Sequence, residues 1–515
     1  MTVTSFLSLT PTRFLDRASA VFADRPAVRD GDVTLTYHQL ARRVDALTGV
    51  LAARGVGTGD RVAALCTNSH VMLELHHAVP LRSAVLVPLN IRLTTEELRY
   101  ILKHSGARLL VVTREFADRG TELSRDLGIE LLEGDGADTD YERELATATP
   151  ARIEVDDERA LLAINYTSGT TGRPKGVMYH HRGAYLQALA MAYHARLDPG
   201  SSYLWTLPMF HCNGWTFPWA VIAAGGTQVA LRSVDPQEIW RQLRVDVTHF
   251  SAAPTVLTMI AEHPAAGPLE KAVQATTGGA PPTPALLRRM SRLNIEVTHL
   301  YGLTETFGPV VVNQWQPEWN ALDEEATAAR QARQGIPNII ASPLRVVDSS
   351  GIDVPADATT VGELVVLGND VMLGYYRDEA ATAEAEIAGW FRTGDLAVLH
   401  PDGYVEIADR LKDVIISGGE NIASVEVERA LDQHPAVVES AVVGVPDEKW
   451  GEIPVAFVTT RPGADVTEAE LVEFVRAHLA RYKVPRRIAF TTLPRTSTGK
   501  IQKNMLRDVA LGTDR

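Results

Sequence analysis

Short apolar runs alternate with helical patterns through the first 160 residues of this 515-residue chain, and this alternation limits the possible folds. The segment 35–53 repeats apolar residues at helical spacing and predicts a helix. Three aliphatic runs predict buried strands: 61–66, 84–88 and 107–112. Strands that are apolar on both faces and separated by helices indicate a parallel sheet with helices on each side. The sequence therefore predicts an α/β fold.

The pattern changes in the last third of the chain. Residues 353–409 combine short strand patterns with frequent turns, which predicts an antiparallel, barrel-like segment. A compact α+β unit follows, with predicted helices at 425–432 and 468–479, strands at 437–445 and 454–459, and Thr467 as a helix N-cap. We therefore predict an N-terminal domain over 1–409 and a C-terminal domain over 410–515.

Charge and cysteine content exclude several classes of protein. The chain carries 50 Lys and Arg against 64 Asp and Glu, a net charge of −14, which argues against a protein that coats nucleic acid or an anionic membrane. Its two cysteines cannot form a disulfide framework, and no Cys-x-x-Cys pair suggests structural zinc. We find no signal peptide pattern and no apolar run of the ~20 residues that a bilayer span needs. These features predict a cytoplasmic protein without stable membrane insertion.

A glycine- and hydroxyl-rich loop follows the apolar run 161–164. Its candidate phosphate-binding residues are Thr167, Ser168, Gly169, Thr170, Thr171, Gly172 and Lys175. Glycines let backbone N–H groups approach phosphate oxygens, hydroxyls add donors and the lysine adds positive charge. The loop is not a Walker A motif, because Pro174 stands where that motif needs glycine before its lysine. The alternative is a polar surface turn, which rarely carries so ordered a set.

This loop resembles the signature of adenylate-forming enzymes (the ANL superfamily): acyl-CoA synthetases, peptide-synthetase adenylation domains and luciferases. Further segments resemble the motifs of that family, in the same order along the chain: 278–281, 301–306, 390–395, 409–413 and 494–501. The resemblance covers essentially the whole chain. It implies a large N-terminal body of two helix-flanked β-sheets plus a distorted β-barrel, and a small, mobile α+β C-terminal domain.

The resemblance also implies roles for individual residues in binding ATP. Glu305 is similar to the family's Mg²⁺-binding glutamate, with Thr167 as a second candidate ligand, and Thr304 is similar to the α-phosphate donor. Asp395 resembles the aspartate that binds the ribose hydroxyls, and Arg410 is expected to contact ribose or phosphate. The remaining nucleotide candidates form the adenine segment and its neighbours: Gly278, Gly279, Ala280, Tyr301 and Gly302. Taken alone, Glu305 or Asp395 could instead be a helix cap or a turn residue.

Two further roles follow from the resemblance. Lys500 is similar to the catalytic lysine of adenylation, and Lys412 matches the hinge about which the C-terminal domain rotates between half-reactions. Candidate residues for a CoA tunnel are Gly418, Gly419, Glu420, Trp450 and Gly451. The alternative for Gly418 and Gly419 is an ordinary hairpin turn.

The segment 204–215 suggests the acid substrate. It resembles a branch of short- and medium-chain acyl-CoA ligases that includes 3-methylmercaptopropionyl-CoA ligases and related plant enzymes, and it places His211 where the family often has a gating aromatic. Candidate pocket residues are Trp205, His211, Cys212, Asn213, Trp215, Thr277, Gly302 and Pro309. Bulky walls favour a short or compact aromatic acid, although the tryptophans could equally be core residues.

The predicted function is an ATP-, Mg²⁺- and CoA-dependent acid–thiol ligase whose partners are small molecules. Two enzymatic alternatives stay open: loading of a free-standing carrier protein, and ATP-dependent activation of nitrite towards an aromatic amine, as in diazotases. A non-catalytic nucleotide sensor is disfavoured by the intact Glu305, Asp395, Arg410 and Lys500. The sequence leaves a homodimer open and indicates no nucleic acid partner.

Overall fold

The computed structural model describes Ser5 and residues 7–167, 173–418, 420–461, 463–495 and 501–512. The chain divides into two compact units. The first comprises residues 1–343 and 367–389, and the second comprises residues 344–366 and 390–515.

Helices and strands alternate along most of the chain. The helices are α1 Arg13–Val21, α2 Tyr37–Ala53, α3 His70–Leu81, α4 Thr95–Ser105, α5 Ala117–Leu127, α6 Asp140–Thr147, α7 His181–His194, α8 Cys212–Trp215, α9 Phe217–Ala224, α10 Pro236–Leu243, α11 Pro254–Glu262, α12 Pro284–Arg292, α13 Glu324–Ala332, α14 Glu379–Glu384, α15 Ser424–Leu431, α16 Glu468–His478 and α17 Lys503–Leu511. The strands are β1 Pro26–Asp30, β2 Val33–Thr36, β3 Arg61–Leu65, β4 Val85–Pro88, β5 Ala107–Thr113, β6 Glu130–Gly134, β7 Leu161–Thr167, β8 Lys175–His180, β9 Ser202–Leu204, β10 Thr227–Val229, β11 His249–Ala252, β12 Val273–Thr277, β13 Ile295–Leu303, β14 Gly308–Val312, β15 Ile336–Pro337, β16 Arg345–Val347, β17 Gly362–Val366, β18 Glu386–Ile387, β19 Trp390–Leu399, β20 Val405–Arg410, β21 Ile415–Ser417, β22 Glu420–Ile422, β23 Val437–Asp447, β24 Gly451–Thr460 and β25 Arg487–Phe490.

The first unit contains a six-stranded sheet in the order β6-β5-β3-β4-β7-β8. Its strands are parallel except β8, which runs antiparallel to β7. The three aliphatic runs predicted as buried strands form β3, β4 and β5, and the predicted helix is α2, which begins at a capping box on Thr36 and Gln39. The strands read as continuous apolar runs because helices cover both faces.

A nine-stranded sheet forms the rest of the first unit, in the order β15-β14-β13-β12-β11-β9-β10-β1-β2. Its central strands, from β13 to β1, are parallel, and the outer pairs are antiparallel. The carboxyl ends of parallel strands lie at one edge, where open α/β sheets bind ligands. β12 and β13 end there at Thr277 and Leu303, next to predicted nucleotide residues.

The second unit is built from two smaller sheets. Strands β16, β17, β19 and β20 pair antiparallel, and β17 and β19 lie within residues 353–409, for which antiparallel strands were predicted. Strands β22-β21-β24-β23 form the other sheet, with β25 parallel to β24. The predicted N-cap is present: Thr467 accepts from the Glu470 backbone N–H and forms a capping box at the start of α16.

The structure gives a physical reason why the compact units do not divide at the predicted boundary. β20 stays paired with β19 through Arg410, and the Asp409 carboxylate accepts a hydrogen bond from the Ser424 hydroxyl at 2.8 Å. Both sides of position 409 therefore belong to one packed body. A functional boundary between 1–409 and 410–515 stays a prediction.

Among the described residues, none of the helices is both long enough and apolar enough to cross a bilayer.

Candidate active site

The arms of the predicted phosphate loop form a β-hairpin. β7 ends at Thr167 and β8 begins at Lys175, and these two residues are paired across the antiparallel ladder. The hairpin fixes the two ends of the loop on the rigid six-stranded sheet. Five predicted phosphate-binding residues lie outside the described residues: Ser168, Gly169, Thr170, Thr171 and Gly172.

Lys175, Tyr375 and Glu305 form a connected set in the first unit. The Lys175 ammonium lies 4.9 Å from the centroid of the Tyr375 ring, and the Tyr375 hydroxyl donates to Glu305 Oε1 at 2.8 Å. Burial, reinforced by the Glu305 carboxylate, raises the pKa of Tyr375 above its ordinary value, so the phenol keeps its proton and remains a donor. Tyr375 therefore connects the loop lysine to the predicted metal-binding carboxylate.

A pocket of about 230 Å³ lies beside the second arm of the phosphate loop. Cationic and aromatic side chains dominate its lining, which consists of Tyr100, His104, Arg173, Pro174, Lys175, Tyr376 and Asp378. The Arg173 guanidinium lies 5.5 Å from the Tyr100 ring centroid. The arrangement provides positive charge next to the loop.

Thr304 and Glu305 lie on a single 3₁₀ turn directly after β13. The Tyr179 hydroxyl donates to the Thr304 carbonyl at 2.6 Å, and the Glu305 carbonyl accepts from the Met372 backbone N–H at 2.8 Å. Both side chains are partly exposed. The turn therefore presents a hydroxyl and a carboxylate on a backbone held at two points.

Gly302 makes a close backbone approach that explains its identity. A Cβ atom there would lie 1.9 Å from the Gly308 carbonyl oxygen and 2.9 Å from the Pro309 Cα. Any side chain would therefore separate β13 from β14 just before the 3₁₀ turn that contains Thr304 and Glu305. Of the other nucleotide candidates, Gly278 is buried, Tyr301 is half-buried, and Gly279 and Ala280 are exposed.

The predicted acid-pocket segment contains an unusual left-handed turn. Five consecutive residues, 212–216, have φ between 48° and 63°. Four of them are not glycine, and such residues cost roughly 1–2 kcal/mol each in this conformation. The turn is held by a reciprocal pair: Asn165 Nδ2 donates to Asn213 Oδ1 at 2.6 Å, and the Asn213 backbone N–H donates to Asn165 Oδ1 at 3.2 Å.

The turn places Trp215 between two glycines. A Cβ at Gly278 would lie 3.0 Å from the Trp215 ring, and a Cβ at Gly308 would lie 3.0 Å from the opposite part of the indole. Trp205 is fully buried and donates its indole N–H to Gln228 at 3.0 Å, as a core tryptophan does. Thr277 is also fully buried, and its hydroxyl has no hydrogen-bond partner among the described residues.

The second unit contains its own group of predicted nucleotide residues. Asp395 on β19 is 4% exposed and is paired across the ladder with Arg410 on β20, whose Nε lies 3.3 Å from the carboxylate. Glu363 supports this group, since it accepts from Arg392 at 2.6 Å and from the Gly394 backbone N–H at 3.2 Å. The Gly-Asp pair is thus held by its strand and by a buried carboxylate.

The predicted CoA residues also meet within the second unit. Gly418 connects β21 to β22 in a hairpin, and a Cβ there would lie 2.8 Å from the Trp450 ring. Gly451 is paired with Ser417 of the same hairpin, and Glu420 is exposed. Gly419 and Lys500 lie outside the described residues, and Lys412 is exposed on a 3₁₀ turn between β20 and β21.

Comparison with family models decides the assignment. Residues 15–376 match the model of the AMP-binding enzyme, and residues 426–500 match that of the AMP-binding enzyme C-terminal domain. The chain belongs to the AMP-binding enzyme family. The expected resemblance to adenylate-forming enzymes is therefore confirmed.

Curated AMP-binding relatives match the chain over nearly its full length. Acetate/butyrate–CoA ligase AAE7 of Arabidopsis thaliana, a peroxisomal enzyme, is 42% identical, and the alignment covers 98% of this chain and 95% of the relative. The 4-hydroxybutyrate–CoA ligase 2 of Metallosphaera sedula is 40% identical over 98% of this chain and 94% of the relative. The predicted enzyme class, an ATP-dependent adenylate-forming ligase of the acyl-CoA synthetase type, is confirmed.

Solved structures of AMP-binding enzymes confirm the fold class. ATP-bound MatB from Rhodopseudomonas palustris has a TM-score of 0.87 and 29% identity, covering 97% of this chain and 98% of that one. The o-succinylbenzoate CoA synthetase MenE from Bacillus subtilis, in complex with an acyl-adenylate intermediate, has a TM-score of 0.83 and 28% identity, covering 96% and 98%.

Sequence reasoning missed three residues that support the predicted nucleotide residues: Tyr179 and Tyr375 in the first unit, and Glu363 in the second. Tyr375 is more than 60 residues from Glu305, and Tyr179 is more than 100 residues from Thr304. No spacing rule joins such pairs in one sequence. Gly374 was a visible turn signal, but it did not indicate the partner of the Tyr375 phenol.

Proposed function

We propose that this protein activates a short-chain carboxylic acid with ATP and transfers the acyl group to CoA. The observation that carries the proposal is the match, over 98% of the chain and at about 40% identity, to ligases named for acetate, butyrate, 2-methylpropanoate and 4-hydroxybutyrate. The connected residues Lys175, Tyr375, Glu305 and Thr304 support it, because joining a carboxylate to the α-phosphate brings two anions together.

In the first step, a carboxylate oxygen attacks the α-phosphorus and the bond to the β-phosphate breaks. The products are an acyl-adenylate and pyrophosphate. Thr304 donates a hydrogen bond to the α-phosphate, and Lys175 with the glycine-rich loop holds the outgoing phosphates. Lys500 bridges the reacting oxygens. Asp395 and Arg410 bind the ribose.

The residues present fit a magnesium ion on the phosphates. Glu305 is a partly exposed carboxylate with one oxygen engaged by Tyr375, and carboxylate and hydroxyl oxygens are the ligands that Mg²⁺ takes. Glu305 would hold the ion and Thr167 would assist. When bound, the ion neutralises charge on the phosphate oxygens. Tyr375, as a hydrogen-bond donor, keeps the Glu305 carboxylate in place.

In the second step, the CoA sulfur attacks the acyl carbonyl carbon and the bond to AMP breaks, so the products are acyl-CoA and AMP. Trp450 suits the thiol side of this reaction. Its ring is 38% exposed, and the cationic groups of Lys449 and Arg486 lie 5.0 Å and 5.7 Å from its centroid. An aromatic face flanked by cations can bind a nucleotide carrying phosphates. Lys412 is the hinge of the rearrangement between the two steps.

Trp215 is the residue that we assign to limiting the length of the acid. Its indole fills the space between Gly278 and Gly308, and Trp215 is only 6% exposed to solvent. An acyl chain that needed this volume would have to displace a packed indole. This supports acids of a few carbons over long chains.

The proposal is tested by product analysis of the purified protein. The protein is incubated with ATP, Mg²⁺ and a panel from acetate to palmitate plus benzoate, with and without CoA, and products are identified by mass spectrometry. AMP, pyrophosphate and an acyl-CoA are expected, most rapidly with acids of two to five carbons. Palmitate or benzoate clearly exceeding butyrate would contradict the assigned substrate class.

Two further arms address the alternative functions. Nitrite with aromatic amines tests diazotase activity, and AMP release that needs both, without any acyl-CoA, would replace the proposal. A carrier protein bearing a pantetheine arm tests the other acceptor, and faster acyl transfer to it than to CoA would move the assignment there. The oligomeric state, with a homodimer as the open expectation, is measured on the same sample by light scattering.

A further inference from the structure

Cys212 contacts the catalytic turn but has no part in the chemistry proposed above. Its thiol is only 3% exposed and donates to the Thr304 hydroxyl oxygen across 3.4 Å. The two residues are 92 positions apart in the chain. We propose that Cys212 is a positioning residue that sets the direction in which the Thr304 hydroxyl donates. This inference rests on the proposed function, in which that hydroxyl donates to the α-phosphate.

The argument begins with the bonding capacity of a hydroxyl. A threonine hydroxyl has one proton and two acceptor lone pairs, and its proton rotates to suit its surroundings. When the Cys212 thiol donates to that oxygen, the Thr304 proton cannot point back at the sulfur. It is therefore directed towards another acceptor, which in the proposed reaction is an α-phosphate oxygen.

The backbone of Thr304 is already held, so the direction of its hydroxyl depends on contacts to the side chain. The Tyr179 phenol holds the Thr304 carbonyl at 2.6 Å. Burial, with Cys212 as the next contributor, raises the pKa of Tyr179 well above its ordinary value, so the phenol stays a donor. Tyr179 and Cys212 thus hold the backbone and the side chain of the same residue.

The backbone at Cys212, which makes this contact, has a strained conformation. Cys212 has φ 49° and opens the run of five left-handed residues. Asn213 in the same turn is locked to Asn165 on β7, and a Cβ at Gly214 would lie 2.6 Å from Trp205. Strained backbone that packing over-determines is concentrated at functional sites. Here the strained residue is the one whose thiol contacts the Thr304 hydroxyl.

The simpler alternative is that Cys212 only fills space. The His211 ring nitrogens lie 3.7 and 3.8 Å from the sulfur, so the thiol also packs against that imidazole. A filler would affect folding stability without acting on one half-reaction. Measuring the two half-reactions separately distinguishes these roles.

The first experiment compares variants at Cys212 in the full-length protein. Cys212→Ala removes the donor, and Cys212→Gly removes it with a residue that tolerates positive φ, so that at least one variant keeps the turn. Cys212→Ser restores a donor. Acid-dependent ATP–pyrophosphate exchange gives kcat and the KM for ATP, and thioester formation is measured from supplied butyryl-adenylate and CoA.

We expect Cys212→Ala and Cys212→Gly to lower the exchange kcat by about 3- to 10-fold, the effect of losing one hydrogen bond. The KM for ATP and the rate of the thioester step should change by less than about twofold, because the bond is needed only as the adenylation transition state forms. Cys212→Ser should keep at least half of the wild-type kcat, because the serine hydroxyl restores a donor. Cys66→Ala is the matched control: Cys66 is the other buried cysteine, its thiol lies 3.7 Å from the Val111 carbonyl, and its removal should leave exchange unchanged.

A double-mutant cycle with Thr304→Val gives the decisive comparison. If Cys212 acts through the Thr304 hydroxyl, then Cys212→Ala produces no further loss once that hydroxyl is absent. Additive losses, or an equal fall in both half-reactions, would overturn the inference. If the wild-type protein catalyses exchange and the Cys212 variants exchange at the same rate, this inference alone is overturned. If the wild-type protein is inactive with every acid, the proposed function and this inference are overturned together.

Discussion

At the scale of single residues, Tyr375 connects the Lys175 ammonium to the Glu305 carboxylate, the proposed magnesium ligand. It contacts Lys175 through its ring and Glu305 through its hydroxyl, so the two contacts can be removed separately. Tyr375→Phe keeps the ring and loses the donor to the carboxylate. Hydrogen bonds to charged groups contribute ~1.5–3 kcal/mol, so we expect the adenylation kcat to fall about tenfold or more, measured by pyrophosphate exchange.

The neighbouring tyrosine provides the control for that prediction. Tyr376 contacts Arg377 and His104, not Glu305. Tyr376→Phe should therefore retain wild-type kcat, and Tyr375→Leu, which loses both contacts, should be slower than Tyr375→Phe. If the two Tyr→Phe variants had the same adenylation kcat, the contact between Tyr375 and Glu305 would make no contribution to catalysis.

Trp215 is the residue on which the proposed chain-length preference depends. Trp215→Ala should raise kcat/KM for octanoate relative to butyrate by about tenfold or more, because it frees the volume between Gly278 and Gly308. It should also lower the free energy of unfolding by about 3–5 kcal/mol, as expected for a buried aromatic. Trp219→Ala removes a fully buried core tryptophan and should destabilise the protein without changing the ratio. An unchanged ratio in Trp215→Ala would refute the assigned limit.

At the scale of secondary-structure elements, the pairing of β13 with β14 sets the position of the 3₁₀ turn that contains Thr304 and Glu305. Gly302→Ala would place a Cβ 1.9 Å from the Gly308 carbonyl oxygen, so the strands must separate. We expect a loss of more than about 2 kcal/mol in the free energy of unfolding, together with loss of pyrophosphate exchange. Gly267→Ala, at a glycine with nothing within 4 Å of its Cβ position, is the control and should be neutral.

The elements themselves were largely predictable, because hydrophobic periodicity reports burial directly. The aliphatic runs became β3, β4 and β5, and the Thr467 cap was placed correctly at α16. The left-handed turn at 212–216 was not predictable. Cys, Asn, Trp and Thr have no intrinsic preference that requires positive φ in a row, and contacts with distant residues, such as the pairing of Asn213 with Asn165 and the packing of Gly214 against Trp205, stabilise it.

The same distinction applies to the candidate site. Local motifs allowed residues such as Thr304, Glu305 and Asp395 to be predicted as those that bear the chemistry, and these roles stay predictions. Tyr179 and Tyr375 bond to Thr304 and Glu305 from distant segments, and Glu363 accepts from the Gly394 backbone N–H next to Asp395, so these contacts depend on how strands and loops pack. A single sequence carries no signal for such pairings, which is why the supporting residues emerged only with the structure.

At the scale of the whole molecule, buried histidines should make stability depend on pH. Burial lowers the pKa of eight histidines, six of them to about 3 or 4: His76, His77, His180, His181, His194 and His299, with His104 and His249 lowered as well. Each is neutral when folded and gains a proton on unfolding as the pH falls below about 6.5, so protonation favours the unfolded state. Each of the six with a folded pKa of about 3 or 4 therefore removes up to about 1.4 kcal/mol of stability per pH unit between pH 6.5 and 4.

Three carboxyl groups act in the opposite direction. Burial raises the pKa of Asp370 and Asp432 to about 7 and raises that of Glu428, so their protonated forms favour the folded state as the pH falls. The histidines outnumber them, and we expect the urea midpoint to decrease steadily from pH 7 to pH 4.5. A midpoint that stayed constant or rose over this range would contradict the buried neutral state of the histidines.

In the proposed reaction, the acid passes through an acyl-adenylate on its way to CoA. This intermediate is tested with butyrate labelled with ¹⁸O in both carboxylate oxygens, and AMP is analysed by mass spectrometry after turnover with ATP, Mg²⁺ and CoA. Because the carboxylate oxygen that attacks the α-phosphorus leaves with AMP, one ¹⁸O atom should appear in each AMP formed, alongside butyryl-CoA carrying the other. Unlabelled AMP, or label found instead in ADP or inorganic phosphate, would contradict the account.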